Sequence, residues 1–169
     1  MLQVYTGDGK GKTTAAFGLA LRACGHDWRV LIIQFMKGDP GYGEVIAAKQ
    51  VKGLEVVQTG LPTFVEKGNL SKEDLAEARR GLDLAVKAVG SGDYDMVILD
   101  ELNVAVDYAL VPLDEVLALA DSCPPETELV ITGRYARPAL LERAALVSEV
   151  KEVKHPYQLG IVSRVGIDY

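Results

Sequence analysis

"VYTGDGKGKTTAA" occupies Val4 to Ala16 and leads from an apolar run through alternate glycines into a stretch with helical composition. The phosphate-binding pattern is a glycine, four residues, then Gly-Lys-Ser/Thr. Gly11-Lys12-Thr13 supplies its end, but Thr6 stands where the first glycine belongs. Gly7, Gly9 and Gly11 still allow the backbone to curl with successive N–H groups pointing inward, and the helix behind them adds its positive end. Lys12 reaches phosphates as a point charge, and the Thr13 hydroxyl is placed to ligate Mg²⁺. Either the missing glycine marks an accidental match, or this loop holds a nucleotide for a purpose other than ordinary hydrolysis.

A second stretch supports the first. "MVILDE" (Met96 to Glu101) is an apolar strand ending in two acids, the arrangement that holds magnesium opposite a phosphate loop. Asp100 is expected to face the metal, and Glu101 sits where ATPases keep a water-polarising group. A helix cap is the ordinary reading of such a pair.

Outward from these two segments, short apolar runs alternate with longer segments of helical period, the signature of parallel strands joined by helices. The strand candidates are Leu2 to Tyr5, Arg29 to Phe35, Leu54 to Gln58, Met96 to Asp100, Glu128 to Thr132 and a weaker Leu146 to Val153. Several are apolar on both faces, so helices should cover both sides of the sheet. The first helix should start at Thr13 and end at Gly25 in a left-handed cap. Ser71 and Asp74 form a capping box ahead of Leu75, Ala78, Leu82, Ala85, Val86 and Val89 at helical spacing. Leu113 to Ser122 and Pro138 to Ala145 supply two shorter helices. The expected fold is one α/β domain over residues 1–169, a P-loop (RecA-like), doubly wound, mostly parallel six-stranded sheet. Its predicted strand order is 3-2-4-5-1-6, because the metal-binding strand normally lies one place removed from the loop strand. "KGDPGYGE" (Lys37 to Glu44) and "TGLPTFVEKGN" (Thr59 to Asn69) follow strands at the sheet edge where ligands bind, which makes them candidate ligand loops.

Composition narrows the function. A chain of 169 residues with 49% apolar and 25% charged residues has the make-up of an ordinary globular protein. A net charge of −6 argues against a nucleic-acid footprint, which is usually basic. Cys24, Cys123, His26 and His155 lie far apart, without the spacing of a zinc site or a disulfide framework. With no leader and no run of 18 apolar residues, a cytoplasmic location and no membrane partner are expected.

"TGDGKGKTTAAFGLALRACGH", "QFMKG", "VILDEL", "VITGR" and the ending "VKH" to "GIDY" together resemble the corrinoid adenosyltransferases of the CobA/BtuR type, also called cob(I)alamin adenosyltransferases. Their phosphate loop carries a threonine where this chain has Thr6. The resemblance implies that ATP and Mg²⁺ bind at Thr6, Gly7, Asp8, Gly9, Lys10, Gly11, Lys12, Thr13 and Thr14. The Co(I) of a reduced corrinoid then attacks the ribose 5′ carbon and inorganic triphosphate leaves intact, so Glu101 becomes a magnesium or ribose contact. Arg22 and Arg134 match basic residues that the family keeps near the nucleotide. Lys37 and Glu44 match its "KG" and "GE" without a derivable role.

The resemblance further implies that bulky apolar side chains strip the lower axial ligand from Co(II). The family places two aromatics after a Thr-Gly turn; here the turn is Thr59-Gly60, and either Leu61 or Phe64 takes that role. Some members carry a helix ahead of the loop strand that covers the corrinoid, so closure is expected here from Lys37 to Glu44 or from the C-terminal segment. A homodimer and an electron-donating reductase such as a flavoprotein are the implied partners. The rival readings are a P-loop ATPase or small-molecule kinase, for which Glu101 is the strongest residue, and a nucleotide-sensing regulatory protein.

Overall fold

The computed structural model describes residues 1–169. Six strands, β1 (Leu2–Thr6), β2 (Val30–Phe35), β3 (Leu54–Thr59), β4 (Met96–Asp100), β5 (Glu128–Thr132) and β6 (Leu146–Glu149), form one sheet in the order β3-β2-β4-β5-β1-β6. Every neighbouring pair is parallel, so the sheet is wholly parallel where a mostly parallel one was expected. β5 alone separates the loop strand β1 from the acid-bearing strand β4.

The strands sort their side chains by alternation. Leu31, Ile33 and Phe35 of β2 join Val97 and Leu99 of β4 in a core on one face, together with Ala78, Leu82, Ala85 and Val89 of α3 (Lys72–Ser91). Val30, Ile32, Met96, Ile98 and Val130 face the other way, onto Ala16, Ala20 and Ala23 of α1 (Lys12–Cys24). Alanines on that stripe let α1 lie close over the sheet, and the helix runs straight out of the phosphate loop.

α3 starts as its sequence suggests. The Ser71 hydroxyl accepts from the Asp74 N–H at 3.0 Å, and Asp74 accepts from the Ser71 N–H at 3.0 Å, a reciprocal cap worth ~1 kcal/mol. Leu75 and Val86, expected on its buried face, are exposed instead, because they lie at the margins of the stripe that Ala78, Leu82, Ala85 and Val89 define. Gly25 follows α1 in right-handed geometry, φ −62°, and the left-handed turn falls on Asp27 at φ 59°.

Two short helices were not foreseen, α2 (Gly43–Ala48) and α4 (Leu102–Asp107). α5 (Leu113–Ser122) spans the expected residues, whereas α6 (Pro138–Leu141) stops early. β6 also ends at Glu149 rather than Val153, with all four residues exposed on an edge paired only to β1. A 3-10 turn, Pro156–Leu159, precedes the C-terminal segment.

Candidate active site

The phosphate loop explains its own departure from the usual pattern. Thr6 is still strand: it pairs with Glu149, and its carbonyl accepts from the Val150 N–H at 2.8 Å. The turn begins one residue later at Gly7, with φ 97°. A Cβ there would lie 2.4 Å from the Val150 carbonyl oxygen, so the conformation and the contact both demand glycine at 7. Position 6 needs none, and its hydroxyl is free to accept from the Ala136 N–H at 3.4 Å.

Lys12 folds back over the loop, donating to the carbonyls of Gly7 and Gly9 at 2.7 Å each. Burial lowers the pKa of its ammonium and Arg134 adds to that, while Glu101, Asp8 and Asp100 pull it back up. Thr13, one residue on, donates to Asp100 Oδ1 at 2.9 Å. The loop and the end of β4 therefore meet.

Asp100 is completely inaccessible to solvent, and such a carboxylate survives ionised only with several donors. Oδ1 accepts from Thr13 and from Thr132 at 2.7 Å. Oδ2 accepts from Gln34 at 3.2 Å and from the Lys37 ammonium at 2.9 Å. Burial pushes the carboxyl up, but the Lys37 charge and the hydrogen bonds from Lys37, Thr132 and Thr13 together bring it below its ordinary value. Reciprocally, burial works against the Lys37 ammonium while Asp100 more than compensates and raises it. Glu101 is shifted up, first by burial and then by the neighbouring Asp100 charge, against the pull of Lys37, Lys12 and Arg134. It holds φ 61°, its N–H donating to Thr132 Oγ1 at 3.0 Å. That left-handed residue turns the chain from β4 into α4 and presents the carboxylate to the cleft.

The cleft holds about 560 Å³ and is lined by the loop from Gly9 to Thr14, by Lys37, Glu44, Glu101 and Arg134, and by the C-terminal residues Gly166 to Tyr169. Asp8 lies at the exposed shoulder of the loop, outside this lining. Lys10 reaches across to the tail, pairing with the Asp168 carboxylate and donating to the Ile167 carbonyl at 2.9 Å.

The remaining predicted residues lie apart from the cleft. Arg22 is exposed at the far end of α1, ten residues or about 15 Å along the helix from Lys12, and its charge is felt by Tyr5. Leu61 is half-buried and Phe64 fully exposed, 100%. Their loop nevertheless starts against the cleft. A Cβ on Gly38 would lie 2.4 Å from the Gly60 carbonyl oxygen, and one on Gly60 would lie 2.5 Å from the Lys37 nitrogen. The two candidate ligand loops thus touch backbone to backbone beside Lys37.

Lys37, Gln34 and Thr132 belong to the site as the fixed donors of Asp100. A charged or polar residue at the end of each strand flanking an acid was the available signal. Glu44, 3.9 Å from the Lys37 ammonium, extends the same network.

The chain as a whole resembles proteins of one family. Residues 1–169 match the family model described as ATP:corrinoid adenosyltransferase BtuR/CobO/CobP. A corrinoid adenosyltransferase of Escherichia coli (strain K12) is 39% identical over 168 residues, covering 98% of this chain and 84% of that protein. The corrinoid adenosyltransferase CobA of Salmonella typhimurium is 38% identical over 168 residues, with the same coverage of 98% and 84%. A corrinoid adenosyltransferase of Pseudomonas aeruginosa is 33% identical over 169 residues, covering 100% and 83%. A relative of more than 30% identity along nearly the full chain, on a sheet whose loop and acid strand converge, leaves one assignment: the chain belongs to the ATP:corrinoid adenosyltransferase family.

Proposed function

We propose that this adenosyltransferase holds the triphosphate of ATP on the Gly7–Thr14 loop with Lys12, Lys10 and Arg134, and delivers the ribose 5′ carbon to a corrinoid held near Leu61 and Phe64. The observation that carries this reading is the Thr13–Asp100 hydrogen bond at 2.9 Å, which joins the phosphate loop to the acid strand under one cleft. In the transfer, the cobalt electron pair forms the Co–C bond while the C5′–O bond breaks and its pair leaves with triphosphate. No proton moves, so no general base is required, and Glu101 is read as a ribose or metal contact.

Thr13 and Glu101 line the cleft with oxygens that suit Mg²⁺, an ion commonly held by few protein ligands together with substrate phosphates, whereas Asp100, buried and already saturated by four donors, would act on the ion through the Thr13 hydroxyl rather than ligate it directly. When bound there, the ion would neutralise charge gathering on the departing triphosphate. Lys12 supplies the same service from the protein, already fixed in place by the Gly7 and Gly9 carbonyls.

Phe64 is the better candidate for the lower face of the corrinoid. Its ring packs on nothing in the core and is fully exposed, which leaves the larger of the two apolar side chains available to contact a ligand. A cobalt stripped of its lower ligand accepts an electron more readily. A homodimer, an electron-donating reductase such as a flavoprotein and a cytoplasmic location belong to the same proposal; no helix is long and apolar enough to cross a membrane.

Two alanine variants separate the roles. Lys12→Ala should slow adenosylation even from chemically preformed Co(I), by the ~3 kcal/mol typical of a lost charge-stabilising donor. Phe64→Ala should be slow from Co(II) with a mild reductant and recover most of its rate from preformed Co(I). Equal losses for Phe64→Ala in both regimes, with four-coordinate Co(II) still formed, would transfer the role to Leu61.

A further inference from the structure

The loop that carries Phe64 is fastened at both ends. At its start, Gly60 abuts the Met36–Lys37 backbone. Past its apex, the Lys67 ammonium donates to Asp107 Oδ2 at 2.5 Å, and Asp107 Oδ1 accepts from Arg137 at 3.0 Å. The Asp107 side chain is only 11% exposed, so its carboxylate is a fixed socket at the end of α4 rather than a mobile surface acid. Two rings flank the same ammonium, Tyr108 with its centroid at 5.6 Å and Tyr135 at 5.9 Å. Tyr135 holds φ 65° directly after Arg134, the arginine that lines the nucleotide cleft. Between the two fastenings only Val65 packs against the core, and Leu70 does so just beyond the second.

We propose that Lys67 is a positioning residue for cobalt reduction: its seat on Asp107, between Tyr108 and Tyr135, sets the height and angle of the Phe64 loop. An exposed ammonium–carboxylate pair is ordinarily weak, but here one partner is nearly buried and the cation also lies over two aromatic faces, which strengthens it. Without the latch, the nine residues between Gly60 and Leu70 are held only where they leave Gly60, where they enter the Ser71 cap of α3, and by the packing of Val65. The ring of Phe64 then samples many positions, and a ligand-displacing side chain must hold one. Tyr135 of the seat directly follows Arg134, so a single backbone turn joins the seat to a residue of the cleft lining.

The proposal rests on the reading that this loop displaces the lower ligand, and the experiment separates the two. Lys67→Ala, Lys67→Arg and Phe64→Ala are compared in the MgATP–Co(II) corrinoid complex, by the spectroscopic yield of four-coordinate Co(II) and by amide exchange over residues 61–70. Expected for Lys67→Ala is faster exchange in that segment, at least a fivefold lower four-coordinate yield, and near-normal turnover from preformed Co(I); Lys67→Arg should keep most of the yield. A wild-type yield in Lys67→Ala overturns the latch, whether or not Phe64→Ala lowers it. A lowered yield in Lys67→Ala with an unaffected Phe64→Ala keeps the latch and removes Phe64 from the lower face in favour of Leu61. Lowered yield without any change in exchange also overturns the latch, since the loop would then be held without Lys67.

Discussion

The Lys37 ammonium lies 2.9 Å from Asp100 Oδ2, and this carboxylate has no solvent contact at all. An ion pair so placed is costly to halve. Removing the cation leaves Asp100 with three neutral donors, Gln34, Thr13 and Thr132. Lys37→Met should therefore destabilise the protein by on the order of 3 kcal/mol, read from urea unfolding midpoints. The double variant Lys37→Met, Asp100→Asn should recover part of that loss, because no unpaired charge remains buried. A Lys37→Met midpoint equal to wild type would mean that the three neutral donors suffice.

Gly60→Ala places a Cβ 2.5 Å from backbone atoms of Met36 and Lys37, so one of the two loops has to move. The displacement should disturb Lys37 as well as Leu61 and Phe64. Turnover should fall both from Co(II) and from preformed Co(I), unlike the one-sided defect of Phe64→Ala. Wild-type rates in both regimes would show that the contact yields at no cost.

The tail touches the phosphate loop through Lys10. Lys10 is held by Asp168 and by the Ile167 carbonyl, and an arriving triphosphate offers it a denser charge. Asp168→Asn should tighten MgATP binding up to about fivefold, as expected for loss of an exposed ion pair worth no more than ~1 kcal/mol, with the gain shrinking as salt rises. Calorimetric titration decides it. Weaker binding by the variant would mean that the tail closes over the nucleotide instead of yielding to it.

Tyr94 supplies a pH test away from the cleft. Its phenol is pushed up to about 12, by burial first and then by the Glu55 carboxylate that accepts its hydrogen bond at 2.8 Å. The unfolded chain releases that proton near pH 10, so between about 10 and 12 the native state binds more protons. Its contribution to stability is complete below about 10 and is lost as the pH rises through that window. Tyr94→Phe should flatten the fall of the thermal midpoint from pH 10 to 12; an unchanged slope would show that other groups set it.

The sequence carries the sheet well because its strands are local apolar runs. β4 and β5 begin and end where Met96 to Asp100 and Glu128 to Thr132 suggest, and their order follows from placing the acid strand one place removed from the loop strand. α4 was hidden because its start depends on Glu101 taking a left-handed turn that glutamate rarely adopts. Leu75 and Val86 misled because helical spacing gives a stripe without saying how wide the sheet beneath it is. In the site, Lys12 and Thr13 were legible from neighbours in sequence. Lys37, Gln34 and Thr132 reach Asp100 across 63, 66 and 32 positions; polar residues at the ends of the flanking strands were the one signal, and it shows only once the strand order is known. The tail across Lys10, 158 positions away, is hidden for the same reason.

The fate of the three phosphates tests the adenosyl-transfer chemistry most directly. Phosphorus NMR of a reaction containing MgATP and chemically preformed Co(I) corrinoid should show inorganic triphosphate appearing in step with the adenosylated corrinoid, one for one, because the bond that breaks is C5′–O and the phosphates are never separated. ADP and orthophosphate formed at the rate of ATP loss, with no cobalt–carbon product, would contradict it and make the cleft around Lys12 and Glu101 a phosphoryl-transfer site.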